Sequence, residues 1–356
     1  MPHSHLTDDL RICRVKPLIP PSILIEDIPA TAEAQALVVK TRNAVAAALN
    51  GDDDRLVVIC GPCSIHDVDA ALEYGDKLRQ AAEQHSDDLI VIMRTYFEKP
   101  RTVTGWKGLI NDPALDETFQ INKGLRMARQ LLSDLSAKGL PVAVEFLDNV
   151  IPQYISDFVS WVAIGARTTE SQIHREFASG CSMPVGFKNS TSGGLGVAID
   201  AVRSAMSSHW FPSITKDGVS AILQTTGNPN CHVILRGGSE TGPNYDAASV
   251  STAVAQLEKY SLPTRLMIDF SHGNSSKDHR RQSAVCEDVC FQLSGGSDAI
   301  FGVMIESHLV EGKQDLGNGQ GLVYGQSVTD ACISFEETEN LLKSLAAAVK
   351  SRRSTR

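Results

Sequence analysis

With 356 residues, 42% of them hydrophobic and 21% charged, and a formal net charge of −9, the chain has the make-up of a globular protein that folds in water. Its acidity excludes the broadly basic surface that non-specific nucleic-acid binding needs, and no apolar run approaches the roughly 20 residues that span a bilayer. The opening MPHSHLTDDLRICRVK lacks the apolar core of a signal peptide, and eight cysteines at irregular spacing read as reduced thiols, so a cytoplasmic protein is expected.

Residues 31–51, TAEAQALVVKTRNAVAAALNG, read as a helix ended by Gly51, and nothing before residue 56 has the look of a buried strand. Short apolar runs then alternate with longer amphipathic ones. The runs are LVVICGP (56–62), LIVIMRTY (89–96), VAVEFLD (142–148), WVAIGAR (161–167), PVGFKN (184–189), HVILRGG (232–238), RLMIDFSH (265–272) and IFGVMIESH (300–308). Helical patterns such as AALEYGDKLRQAAEQH, GLRMARQLLSDLSAKG and VCEDVCFQLSGG lie between them. Near-continuous apolar strands separated by helices imply a parallel sheet covered on both faces. Eight such units over about 250 residues predict a (β/α)8 TIM barrel, with an open doubly wound sheet as the alternative. The link from 189 to 231 is too long for one helix. Within it, HWFPSITKDGVSAILQTTGNP alternates around 211–214 and 219–224, which predicts a β-hairpin inserted between strands five and six. The expected organisation is an N-terminal extension over 1–55 and a barrel over 56–356 carrying that insertion. The tail KSRRSTR reads as solvated.

Each predicted strand ends in a residue foreign to a core: Cys63, Arg94, Glu145, Arg167, Lys188, Arg236, His272 and Glu306. In a barrel these ends open onto one face, where the active sites of this fold lie. Four of the eight are cations, and FEKPRTVTGWKG (97–108) adds Lys99 and Arg101 from the loop after strand two. Arg binds phosphate and carboxylate through paired donors and Lys through a point charge, so these cations read as one wall of a pocket for a strongly anionic ligand. Salt bridges to nearby acids are the plainer explanation. Cys63, His272 and Glu306 come from strands one, seven and eight, neighbours once a barrel closes, and YGQSVTDAC supplies Asp330 just beyond. Sulfur, imidazole and two carboxylates suit one divalent ion: Mn2+, Fe2+, Co2+ or Zn2+.

CGPC, residues 60–63, matches the tetrapeptide of thioredoxins, but Ile59 precedes it and the first N-cap candidates are Asp67 or Asp69. Cys60 is either a redox partner of Cys63 or, since strand neighbours alternate, a small core residue pointing away. TSGGLGVAID fits neither the dinucleotide nor the P-loop fingerprint and reads as a loop capping a helix, and His174 is expected on a helix surface.

GPCSIHD, YFEKPRT, GWKGLINDP, GARTTESQIHRE, PVGFKN, ILRGG, DFSHGNSSKD and SVTDAC together resemble the type I 3-deoxy-D-arabino-heptulosonate 7-phosphate (DAHP) synthases, from about Asp8 to the C-terminal helix. The resemblance is closest to the metal-dependent, feedback-inhibited members. It implies a transferase that joins phosphoenolpyruvate to D-erythrose 4-phosphate and water, releasing phosphate, at the first step of the shikimate pathway. It implies metal ligands Cys63, His272, Glu306 and Asp330. Phosphoenolpyruvate would be held by Arg94, Lys99, Arg167, Lys188 and Arg236, and erythrose 4-phosphate by Lys99, Pro100, Arg101 and Thr102. Glu145 matches an acid that positions water, so Lys99, His272, Cys63 and Glu145 form the implied catalytic set.

TDDLRI resembles an arm that reaches a neighbouring subunit in a homo-oligomer, a dimer or tetramer, and helps form an aromatic amino-acid site. Asp8, Asp9 and Ile12 match the arm; Phe146, Pro152, Gln153, Cys181, Ser182, Phe211, Ser213 and Val219 match the pocket. Ser213 resembles phenylalanine-sensitive members, which places phenylalanine ahead of tyrosine and then tryptophan as effector. Asn149, Cys181 and Pro212 depart from the family pattern there, and SETG after Gly238 is two residues longer than in close relatives. A related synthase acting on a longer sugar phosphate is a second enzyme reading, but such chains are shorter and lack the arm and KPRT. A non-catalytic sensor is a third, against which the intact metal and cation sets speak.

Overall fold

The computed structural model describes residues 7–317 and 319–355. Two helices precede the first strand. In α1 (Pro21–Asp27) proline occupies the first turn, where its missing N–H leaves no bond unmade. In α2 (Ala32–Asn50) the Thr31 side chain accepts from the Ala34 N–H at 3.2 Å, and Gly51 closes the helix at φ +89°, a conformation that favours glycine. The sequence pattern missed α1, a seven-residue helix with one apolar turn.

Then follow β1 (Leu56–Gly61), α3 (Val68–Glu83), β2 (Leu89–Arg94), α4 (Ile121–Ala137), β3 (Val142–Glu145), α5 (Pro152–Ile155), β4 (Val159–Ile164), α6 (Gln172–Ser179), β5 (Val185–Lys188) and α7 (Gly196–Ala205). The inserted hairpin is β6 (Trp210–Ile214) and β7 (Ser220–Gln224), paired antiparallel with Phe211 opposite Leu223 and Ser213 opposite Ala221. The rest comprises β8 (Cys231–Leu235), α8 (Ala247–Lys259), β9 (Leu266–Asp269), α9 (Gln282–Ser294), β10 (Ile300–Glu306), the short β11 (Val310–Lys313) and β12 (Gln326–Ser327), and α10 (Phe335–Thr355). The closed parallel barrel runs β1-β10-β9-β8-β5-β4-β3-β2, the expected (β/α)8 architecture with the hairpin between its fifth and sixth strands.

Alternation along the strands makes two apolar layers. Val57, Ile59, Ile90, Ile92, Trp161, Ile234, Met267 and Phe301 fill the barrel, and Val45, Ala48 and Leu49 of α2 join them, so that helix plugs the end where the strands begin. Arg42 fixes the plug by donating to the carbonyls of Ser156 and Val159, both at 2.7 Å. Val58, Cys60, Val91 and Met93 face the other way, into the layer under the helices. Cys60 is therefore the core residue of the two alternatives. It is fully buried, and burial pushes its thiol up to about 12. His174 is a correction: it is half-buried on α6, its ring nitrogens 2.9 Å from Ser171 Oγ and the Leu147 carbonyl, so it ties α6 to the loop after β3. Among the described residues no helix is long and apolar enough to cross a membrane.

Candidate active site

With the strand beginnings plugged by α2, the opposite end of the barrel is left open. A cavity of about 130 Å³ there is lined by Arg94, Lys99, Pro100, Arg101, Glu145, Arg167, Lys188, Arg236, His272 and Asp330. A second of about 290 Å³ adjoins it through Arg167, Arg236, His272 and Asp330 and reaches Glu306. Thr102 lines a third, with Arg167 and Arg236. Strand ends from around the whole barrel thus converge on one space.

The cations divide into two kinds. Arg94 and Lys188 lie under the pocket and have partners there. Arg94 Nη2 meets Glu306 Oε1 at 2.9 Å, its Nε donates to the Pro62 carbonyl at 3.1 Å, and its guanidinium stacks 3.6 Å from the Tyr96 ring centre. Lys188 Nζ meets Asp269 Oδ2 at 2.7 Å. Arg167 and Arg236, by contrast, have no carboxylate within ion-pair reach among the described residues, and the buried Nε of Arg236 has no hydrogen-bond partner. For the first pair the plain salt-bridge explanation holds. The second pair is open to an anion from outside.

Lys99 sits between these groups and the sulfur, its Nζ 3.1 Å from Cys63 Sγ and 3.2 Å from the Cys63 carbonyl. Its loop is closed by the Lys99 N–H on the Lys107 carbonyl at 2.9 Å, and Arg101 Nε is held by the Trp106 carbonyl at 2.9 Å. The one acid of this segment, Glu98, is buried, and burial together with Asp148 raises its carboxyl to about 8. It is largely neutral at pH 7 and leaves the cationic loop uncancelled. Glu145 reaches the cavity because residue 165 is glycine: a Cβ there would lie 2.1 Å from Glu145 Oε1.

Ligand atoms of Cys63, Glu306 and Asp330 lie within 4.8 Å of one another. His272 stands at the edge of this cluster, its Nε2 3.9 Å from Glu306 Oε1. Its Nδ1 is engaged by Ser271 Oγ at 2.6 Å and Asp269 Oδ2 at 2.9 Å, which leaves Nε2 for the cluster. The His272 backbone is left-handed at φ +59°, a strained position for a non-glycine residue, held by the Lys277 N–H on its carbonyl at 2.8 Å. Burial and Glu306 raise the Cys63 thiol despite Lys99, so without a cation the sulfur keeps its proton. Asp330 is held low because Lys99 and His272 outweigh its burial. This donor set of sulfur, two carboxylates and an adjacent free imidazole nitrogen fits a borderline divalent ion.

Two residues of this site escaped the sequence reading. Asp269, fully buried, joins Lys188 to His272 and also accepts from the Ser271 N–H and Oγ; Lys188 and His272 outweigh burial and hold its carboxyl well below the usual range. Gln282, the first residue of α9, exchanges two 2.9 Å hydrogen bonds with the Glu306 backbone, one at N–H and one at C=O. An acid in the middle of RLMIDFSH is a visible signal for the first. Nothing local marks the second.

Around the hairpin, Ser213 Oγ donates to the Asn149 carbonyl at 3.1 Å, Asn149 Nδ2 to the Pro212 carbonyl at 3.2 Å, and Lys216 Nζ to the Gln153 carbonyl at 2.6 Å. Phe146 is buried edge-on to Phe177 at 5.5 Å, Phe211 and Pro152 are buried, Gln153 and Cys181 half-buried, and Ser182 and Val219 exposed. Asp8, Asp9 and Ile12 are exposed, and their hydrogen bonds are those of a local turn. Within one chain the arm is therefore not brought to the hairpin.

Residues 28–343 match the DAHP synthetase I family. The chain is 57% identical over 350 residues to a phenylalanine-sensitive phospho-2-dehydro-3-deoxyheptonate aldolase of Escherichia coli, covering 98% of this chain and 99% of that one. It is 51% identical over 346 residues to a tryptophan-sensitive counterpart of Salmonella typhimurium, covering 97% and 99%. A solved phospho-2-dehydro-3-deoxyheptonate aldolase from Francisella tularensis superposes with a TM-score of 0.94 at 54% identity, over 96% of this chain and 99% of that one.

Proposed function

The chain belongs to the DAHP synthetase I family, whose reaction is the condensation of phosphoenolpyruvate with D-erythrose 4-phosphate and water to DAHP and phosphate, and from that premise we propose which residues carry it. The observation that carries the assignment is the pair of carboxylate-free guanidiniums, Arg167 and Arg236, lining one cavity with His272 and Asp330 of the candidate metal centre.

In this reading Arg167, Arg236 and Lys99 take the phosphate and carboxylate of phosphoenolpyruvate, above the paired Arg94 and Lys188. Pro100, Arg101 and Thr102 take erythrose 4-phosphate. Cys63, His272, Glu306 and Asp330 hold one divalent ion of the Mn2+, Fe2+, Co2+ or Zn2+ group, which when bound supplies Lewis acidity toward the aldehyde. The cations keep two mutually repelling anions in attack geometry, so that C3 of phosphoenolpyruvate meets the aldehyde carbon. Glu145 positions the water that adds to C2, and the hemiketal phosphate then loses phosphate toward the guanidiniums. Regulation follows the same premise. The hairpin and the loop after β3 form one half of an aromatic amino-acid site, and Asp8, Asp9 and Ile12 from a neighbouring subunit form the other. Phenylalanine is the favoured effector, supported by Ser213 and by the higher identity to the phenylalanine-sensitive relative.

The test is phosphate release from phosphoenolpyruvate. It is expected to require erythrose 4-phosphate and a divalent ion, and to vanish in His272→Ala and Cys63→Ala chains that keep their fold. Full turnover of either variant in the presence of a chelator refutes the metal assignment. Arg236→Ala raises the KM for phosphoenolpyruvate and Arg101→Ala that for erythrose 4-phosphate, each by the about 1.5–3 kcal/mol of a charged hydrogen bond.

A further inference from the structure

Away from the catalytic cluster, two thiols share one face of α9. Cys286 and Cys290 are four residues apart, about one helical turn, and their sulfurs lie 3.9 Å from each other. Cys286 is 1% exposed and Cys290 is half-buried, so the pair opens to solvent on one side only. α9 packs against α10 here, and Glu287 and Glu337 place negative charge near Cys286.

Two chemistries compete for such a pair. A disulfide needs Cβ atoms about 3.5–4.5 Å apart, whereas residues four apart on a helix hold theirs about 5–6 Å apart. Closing the S–S bond would therefore unwind a turn of α9, whose first residue, Gln282, is clamped to Glu306. The sulfur spacing instead matches the bite of a single bridging atom. Two metal–sulfur bonds of about 2.3 Å at the tetrahedral angle leave their sulfurs about 3.8 Å apart. Thiolates select soft and borderline cations, and the two carboxylates favour a cation over a neutral thiophile. The hydrogen bond from Cys286 holds the Cys290 thiol below its ordinary value, while the same bond and burial raise Cys286, so the first thiolate forms readily at the accessible sulfur.

We propose that Cys286 and Cys290 form a two-thiolate clamp for a soft divalent cation of the Zn2+ and Cd2+ class, separate from the cluster of Cys63, Glu306 and Asp330. Binding replaces two S–H bonds by two sulfur–metal bonds and releases two protons, with water completing the coordination. Affinity therefore rises with pH.

Cd2+ is the probe, read by the sulfur-to-cadmium charge-transfer absorption in the ultraviolet and by bound cadmium per chain after dialysis. The Cys63→Ser chain removes the catalytic sulfur and is expected to keep a thiolate–cadmium band and about one cadmium. Adding Cys290→Ser to it removes the band, and Cys286→Ala does the same, with helical circular dichroism unchanged. In the otherwise unaltered chain, Cys290→Ser leaves turnover with Mn2+ at the parent level while lowering bound cadmium by about one per chain. A band that survives Cys290→Ser in the Cys63→Ser background, or a Cys63→Ser chain that shows none, overturns the proposal and leaves two thiols packed in a helix seam.

Discussion

Replacing Asp269 by asparagine keeps the shape of a fully buried side chain and deletes its charge. Lys188, 6% exposed and 2.7 Å away, loses its counter-ion. Arg236 and Arg167 line the same cavity as Lys188, and among the described residues no second carboxylate lies within ion-pair reach of the lysine. Removing one member of a buried ion pair leaves an uncompensated charge and costs about 3–5 kcal/mol. The same change lets an amide N–H face His272 Nδ1, which now meets a carboxylate oxygen at 2.9 Å. Loss of such an outer partner lowers metal affinity by about 10- to 100-fold. Urea unfolding at pH 7 measures the first effect, and free Mn2+ followed by electron paramagnetic resonance measures the second. Ser271→Ala is the comparison: it removes hydroxyl contacts to Asp269 and His272 but no charge, and is expected to cost about 1 kcal/mol. If Asp269→Asn is no less stable than Ser271→Ala and binds Mn2+ as the parent does, Asp269 is not the group that joins the lysine to the imidazole.

Three further outcomes are expected. Gly165→Ala puts a methyl 2.1 Å from Glu145 Oε1, so it lowers kcat more than it raises either KM, with unfolding cooperativity retained. His232, 1% exposed in the barrel interior, has its pKa pushed down to about 3 by burial. The unfolded chain therefore binds a proton that the folded chain refuses below about pH 6.5, and stability falls as pH drops through that value, by about 2 kcal/mol at pH 5; His232→Gln flattens this part of the urea-midpoint profile. Deleting residues 1–14 is expected to relieve aromatic amino-acid inhibition while catalysis is kept, as is Ser213→Gly in part; a truncated enzyme inhibited like the parent rejects a role for the arm.

The eight strands were legible because a parallel strand covered on both faces must be apolar throughout, as LVVICG and LIVIMR are. Boundaries were less so. β4 begins at Val159, two residues before the apolar run, because Ser160 is fully buried yet polar. β2 ends at Arg94, two residues short of the apolar run, because the Tyr96 carbonyl turns away to accept from the Ile65 N–H at 2.8 Å. The in-phase polar ends pointed to the barrel face on which Cys63, Glu306 and Asp330 come together with His272 at their edge; strand order suggested Cys63, His272 and Glu306 as neighbours, and Asp330 came from the loop after strand eight. Whether a cation is paired or open was not legible, since that depends on an acid from another strand: Glu306 of β10 for Arg94, Asp269 of β9 for Lys188. Parity could have found Asp269, which shares the inward face with Met267. Gln282 could not have been found, because its partner is backbone 24 residues away.

Burial also explains why the cations divide as they do. A charge out of reach of water is tolerated only when an opposite charge and hydrogen bonds replace its hydration. Arg94 and Lys188 are 1% and 6% exposed, and each has an acid within 2.9 Å. Arg167 is exposed and Arg236 half-buried, so water can serve them until a ligand arrives. Burial lowers the Arg236 pKa, helped by Arg167, and the pull of Asp269, Glu306 and Asp330, all beyond ion-pair reach, does not restore it, as expected of a cation that gains from an incoming anion. In the proposed reading the paired cations act as a fixed floor, while the unpaired ones would exchange water for phosphate or carboxylate oxygens. Adding an acid beside Arg236, as Thr191→Glu would, should therefore stabilise the free protein and weaken phosphoenolpyruvate binding. A variant that tightened phosphoenolpyruvate binding instead would show that Arg236 is not held in reserve for the substrate.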